Sequence, residues 1–154
     1  MDSILIRTLN GEKTNRPPVW FMRQAGRILP NYMQLKESYT FHELMNDKDL
    51  ASKVTLLPIE DLNVDAAILF SDILVIPHAL GLDVEFKKTG PIFKKPLNFS
   101  SKAADLEFDS SKLNYIYNNI KQVQSDKNQN TPLIGFCGGP LTVFLFMFKR
   151  EGSK

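Results

Sequence analysis

The chain has 154 residues, 43% of them hydrophobic and 23% charged. That is enough to bury the core of one ordinary domain and argues against wholesale disorder. The formal net charge of +2, with both signs interspersed, makes no case for a nucleic-acid partner. Lys87, Lys88, Lys94 and Lys95 read as a solvated hairpin face. The single cysteine, Cys137, excludes an internal disulfide and fits a reducing compartment; between Phe136 and Gly138 it reads as a small buried core residue. The longest apolar stretch, residues 141–148, falls well short of the roughly 20 residues of a membrane span. The apolar run at 4–6 is too short for a signal peptide. A soluble, cytoplasmic chain without nucleic-acid or membrane partners is expected.

Strand-like and helix-like segments alternate along the chain, which predicts an α/β protein with a parallel sheet. Residues 18–22 are the first expected strand, after the Arg16-Pro17-Pro18 punctuation. A short helix follows over 29–38, with Pro30 in its first turn. Phe41, Leu44, Met45, Ala51, Val54 and Leu57 recur at helical spacing, so one amphipathic helix is expected over 41–57, ended or kinked by Pro58. Residues 65–70 form a continuous apolar run, the pattern of a strand buried on both faces. A hairpin of 83–87 with 91–93 comes next. A helix starting near Ser110 or Ser111 would then bury Leu113, Ile116, Tyr117, Ile120 and Val123. Residues 133–136 are the third expected strand, followed by the Gly138-Gly139-Pro140 turn.

Each expected strand ends in residues with possible chemistry: Arg23 and Arg27, then Asp72, then Gly138-Gly139. Ligands of parallel α/β folds gather at the carboxyl ends of strands, so these three loops are expected to converge. Two guanidiniums flanking a glycine off a strand end make a fork for carboxylates or phosphates, because each can bond two oxygens at once. The bland readings are that the arginines pair with surface acids, that Asp72 caps a helix over 73–80, and that Gly138-Gly139 is a plain strand-to-helix turn. His42 and His78 have no companions at ligand spacing, so no metal site is expected, and no dinucleotide fingerprint is present. The residues alone therefore describe an anion-recognising α/β site, poor in cofactors, with one buried carboxylate.

Trp20-Phe21-Met22-Arg23-Gln24-Ala25-Gly26-Arg27, followed by Leu29-Pro30 and Tyr32, resembles the N-terminal signature of the uroporphyrinogen decarboxylases. The segment from Asp65 through Phe70-Ser71-Asp72 to Leu74 resembles that family's second signature, and Ile134-Gly135-Phe136-Cys137-Gly138-Gly139-Pro140 its third. The resemblance implies a (β/α)8 barrel of which residues 1–154 would be a single incomplete domain with about the first three strands. It implies a carboxy-lyase, homodimeric and cofactor-free, that takes the acetate carboxyls from uroporphyrinogen to give coproporphyrinogen in haem and porphyrin biosynthesis. Arg23, Gln24, Ala25, Gly26 and Arg27 would bind the substrate. Asp72 would bind it too, accepting the pyrrole N–H bonds and facing the cation formed on protonation. Asp72 and Arg23 are the implied catalytic residues, Arg23 as a candidate proton donor.

The chain also departs from the family. Pro140-Leu141-Thr142 and Phe146 stand where the family has Pro-Trp-Thr and a pocket tyrosine, and Lys149-Arg150-Glu151 interrupts the expected acid and glycines. A pocket serine and histidine from a later part of the family barrel have no counterpart. The alternative reading is thus a catalytically inactive remnant with at most a binding or docking role. A corrinoid-linked methyltransferase is a further rival, but that class takes zinc from a C-terminal part and is not expected to carry the Arg23–Arg27 signature.

Overall fold

Ser3 caps the first helix by accepting the Ile6 N–H at 3.2 Å. The computed structural model describes residues 3–87, 90–98 and 100–148. In chain order its elements are α1 (Ile4–Leu9), α2 (Pro30–Ser38), α3 (Phe41–Asn46), α4 (Lys48–Leu62), β1 (Ala67–Ile68), α5 (Val75–Ala79), β2 (Val84–Lys87), β3 (Gly90–Phe93), α6 (Asn114–Asp126), β4 (Leu133–Ile134) and α7 (Pro140–Phe148). Short 3-10 turns cover Ala103–Asp105 and Ser110–Leu113. Two units emerge: Met1–Phe70 with Ile116–Phe136, and Ser71–Tyr115 with Cys137–Lys154.

In the first unit, β1 pairs with β4 in parallel, Ala67 opposite Leu133 and Ile68 opposite Ile134. The chain from α5 to α6 lies between these strands in sequence and supplies the long crossover that a parallel pair requires. The α/β expectation therefore stands. The apolar run ending in Phe70 is buried as its composition predicts, with Val64, Ala66, Ala67, Leu69 and Phe70 in the core, although only two of its residues join the ladder. Phe70 sits edge-on to Tyr32 and Phe41, with ring centroids 6.0 and 5.3 Å away. Buried Thr55 on α4 donates to Ala51 O at 2.7 Å and accepts the Phe70 N–H at 3.0 Å, so the strand exit leaves no orphan donor there. Asn119 of α6 donates to Met45 O at 2.7 Å, and Asp126 accepts from Ser52 Oγ at 2.7 Å, which ties α6 to α3 and α4.

Several sequence expectations are corrected in this unit. The single helix over 41–57 is two. Asp47 ends α3 and caps α4, its carboxylate accepting the Asp49 and Leu50 N–H groups, because a side-chain acceptor competes with continued helical pairing. Thr40 and Glu43 form a reciprocal capping box at the start of α3. Pro58 does not end α4, which runs on to Leu62 and stops at Asn63 in the left-handed conformation. Residues 18–22 join no sheet among the described residues. A long-range backbone bond, Asp65 N–H to Val19 O at 2.8 Å, holds the segment. With no neighbouring strand to cover them, Val19, Trp20, Phe21 and Met22 are 42%, 44%, 53% and 82% exposed. The helix expected near Ser110 begins as a 3-10 turn capped by Asp109 and becomes α-helical at Asn114; Leu113 and Val123 are buried, but Tyr117 is exposed.

In the second unit, β2 and β3 form the expected antiparallel hairpin, Val84 opposite Phe93. Leu74, Leu82, Phe93 and Met147 make its core, with Ile73, Val143 and Phe146 packed against them. Full burial of a side chain such as Phe93 contributes about 1.5–3 kcal/mol. Leu97 N–H donates to Met147 O at 2.7 Å, joining the segment after the hairpin to α7. Lys94 stands 3.8 Å from Asp83 and is exposed, as is Lys95; Lys88 lies outside the described residues. Cys137 is exposed, not buried, because the turn before α7 leaves it outside the core that Val143 and Met147 build.

Candidate functional site

The segment leading to the two arginines is locked from behind. Asp65 receives Arg16 through both oxygens, Nη1 at 2.6 Å and Nη2 at 2.8 Å, and also the Val19 N–H at 2.7 Å. The Arg16 bond holds the Asp65 carboxyl below its ordinary range, against some opposition from burial. The sequence reading missed this clamp. Its signal was an acid heading an apolar run, downstream of an arginine beside two prolines.

Past the clamp, Gln24 N–H donates to Phe21 O at 3.1 Å, closing a tight turn with Met22 and Arg23 at its centre. Arg23 has φ +59°, the left-handed region that a turn of type II demands at this position. Gly26 is required for a different reason: a Cβ there would lie 2.9 Å from Arg23 O. Leu29 N–H then bonds Gly26 O at 3.0 Å and delivers the chain to α2. Arg23 and Arg27 are both exposed, Ala25 and Gly26 are partly exposed, and Gln24 is buried. Among the described residues no acid pairs with either guanidinium, so the surface-pair reading of the fork has no partner here. Arg27 is close enough to lower the Tyr32 hydroxyl somewhat, while burial, the larger effect, raises it.

In the second unit, Asp72 is partly buried. Its Oδ1 accepts the Leu74 N–H at 2.6 Å, which shapes the loop, but α5 starts at Val75 without a side-chain cap, so Asp72 is not a helix cap. Burial raises its carboxyl above the ordinary range and the Leu74 bond partly opposes this. Tyr115 stands in its field: burial first, then the Asp72 charge, push the phenol up to about 12. Tyr115 was not singled out from sequence, since it lies off the apolar face that defines α6. The Gly138 loop meets the Asp72 loop directly. A Cβ on Gly138 would overlap the Val143 side chain and lie 3.1 Å from Ile73 Cβ. Phe146 packs on the Leu74–Phe93 core and offers no hydroxyl. Residues 149–154, where the sequence departs from the expected acid and glycines, lie outside the described residues.

The fork thus belongs to the first unit, and Asp72, Tyr115 and Gly138 to the second. Among the described residues no group of three or more His, Cys, Asp or Glu is placed to hold a metal ion, and no helix is long and apolar enough to cross a membrane. A surface groove between α2 and α4, lined in part by Asn31, Gln34, Lys53 and Glu60, includes none of the candidate residues.

The profile of the uroporphyrinogen decarboxylase family matches residues 2–154. The uroporphyrinogen decarboxylase of Christiangramia forsetii is 41% identical over 99% of this chain, which covers 46% of that protein. That of Protochlamydia amoebophila is 45% identical over 97% of this chain and 42% of its own length. The chain therefore spans about half the length of these curated relatives. Among solved structures, a methyltransferase from Methanosarcina mazei superposes with TM-score 0.63 at 18% identity, over 96% of this chain and 46% of its own. At that identity the likeness concerns the fold alone.

Proposed function

The chain belongs to the uroporphyrinogen decarboxylase family, and on that premise we propose that it supplies the carboxylate fork and the catalytic aspartate of a cofactor-free uroporphyrinogen decarboxylase. Strands β1 and β4 then belong to a (β/α)8 barrel, and residues 1–154 are the first part of one barrel domain. The observation that carries this reading is the exposure of Arg23 and Arg27, without an acid partner among the described residues, on a loop held by backbone and side-chain bonds. Such a fork suits a substrate with a carboxylate on each of its side chains.

The chemistry assigns separate roles. A proton added to a pyrrole ring carbon leaves positive charge on the ring. The acetate C–C bond then breaks, CO2 departs, and its electron pair neutralises the cation as an exocyclic methylene. A second proton turns the methylene into a methyl group and the ring carbon returns the first, so one proton replaces one CO2. Asp72 lowers the energy of the cation, since a fixed, poorly solvated carboxylate acts strongly at short range. Arg23 and Arg27 hold side-chain carboxylates, with Gln24, Ala25 and Gly26 lining the same surface, and Arg23 is the candidate proton donor. A homodimeric assembly and a cytoplasmic location are carried over from the family.

The exposed row Val19, Trp20, Phe21 and Met22 favours a second reading, in which the chain docks a partner and performs no chemistry. Joining it to the remaining part of a full-length relative and assaying uroporphyrinogen separates the two. Coproporphyrinogen formation supports the decarboxylase; a folded, substrate-binding but inactive assembly supports the docking remnant.

A further inference from the structure

Within residues 21–27 Gln24 is the one buried residue, 2% exposed. Its carboxamide is engaged with backbone on both sides. Nε2 donates to Ala66 O at 2.8 Å, one residue before β1, and Oε1 accepts the Phe21 N–H at 3.1 Å. Its own N–H returns to Phe21 O at 3.1 Å. Phe21 is therefore gripped through both its N–H and its carbonyl. Between these grips sits Arg23 in a left-handed conformation, which is unfavourable for a residue with a Cβ. Nothing intrinsic to arginine favours that state, so the surroundings must impose it.

We propose that Gln24 is a positioning residue for the fork: its carboxamide ties the turn to the entrance of β1 and holds Arg23 in the left-handed backbone that aims its guanidinium. This rests on the reading of Arg23 as a substrate-carboxylate ligand, and it changes how Gln24 contributes. The side chain acts through Arg23, and only its backbone is left to face a ligand.

The test uses the 154-residue chain and uroporphyrin, the fluorescent oxidised tetrapyrrole with the same carboxylate side chains. Gln24→Met keeps length and bulk and removes both carboxamide bonds. It should weaken uroporphyrin binding about tenfold, the loss expected from misaiming one charged contact. Combined with Arg23→Ala it should bind no more weakly than Arg23→Ala alone, whereas combined with Arg27→Ala the losses should add. Independently of ligand, the Arg23 amide coupling constant in NMR should leave the left-handed value in Gln24→Met. Should that variant not fold, Gln24→Glu keeps the acceptor for Phe21 and lacks the donor for Ala66, and is expected to lose part of the same affinity. Unchanged Arg23 backbone coupling, or losses that add with Arg23→Ala, would overturn the positioning role. If Arg23→Ala itself binds uroporphyrin normally, the fork reading fails, while the backbone coupling still decides the role of Gln24.

Discussion

Arg16 and Asp65, 49 positions apart, share two short bonds, and Asp65 also holds the Val19 N–H. The pair fixes where the exposed segment 18–22 enters and so where the fork begins. Because the Asp65 carboxyl is held below its ordinary range in the folded chain, the ionised form contributes stability that is fully present above the unfolded value. That contribution fades as the pH falls through the folded value. Thermal unfolding followed from neutral to acid pH should show a shallower acid-side decline in Asp65→Asn than in the unaltered chain. An identical slope would mean that the clamp contributes nothing to the acid response.

Thr55 is the acceptor for the Phe70 N–H at the exit of the apolar strand. Thr55→Val preserves the shape and orphans that donor, at a cost of about 1–3 kcal/mol. Urea unfolding should show a lower midpoint with an unchanged slope.

Gly138 has no room for a side chain between Val143 and Ile73. Gly138→Ala should cost about 1–3 kcal/mol by overpacking and shift the Asp72 loop, which borders Ile73. Urea denaturation measures the first effect, and changes in the Ile73 and Leu74 amide signals report the second. A neutral Gly138→Ala variant would contradict the close approach.

Asp72 has the opposite pH signature from Asp65. Its carboxyl is raised in the folded state, so the folded chain holds that proton more firmly and loses stability as the pH rises from the unfolded value through the folded one. Asp72→Asn keeps an oxygen for the Leu74 N–H and removes the poorly solvated charge. Its thermal midpoint at neutral pH should be equal or higher. Tyr115, held at about 12, should ionise at lower pH in Asp72→Asn, with the share due to burial remaining. Ultraviolet titration of tyrosinate in Asp72→Asn, with Tyr115→Phe to identify the signal, checks this.

The apolar run at 65–70 was legible because a continuous stretch buried on both faces leaves a strong pattern, and the Arg23–Arg27 spacing was legible because glycine between two arginines suits no helix interior. The break at Asp47 was not, since period 3.6 continues across it and only side-chain capping reveals the boundary. Residues 18–22 carried a strand composition but join no sheet among the described residues, and composition is silent on partners. The engagement of Gln24 with Ala66 and the proximity of Tyr115 to Asp72 join positions far apart in sequence, where no local periodicity reaches.

The role of Asp72 as the group that faces a cationic intermediate is tested most directly in the chain joined to the remainder of a full-length relative, by comparing turnover with substrate affinity in Asp72→Asn. A charge needed chiefly in the transition state predicts a fall in kcat of about 10²–10³-fold with Kd for uroporphyrinogen changed far less. Parallel losses in kcat and affinity, or turnover that survives the substitution, would contradict it.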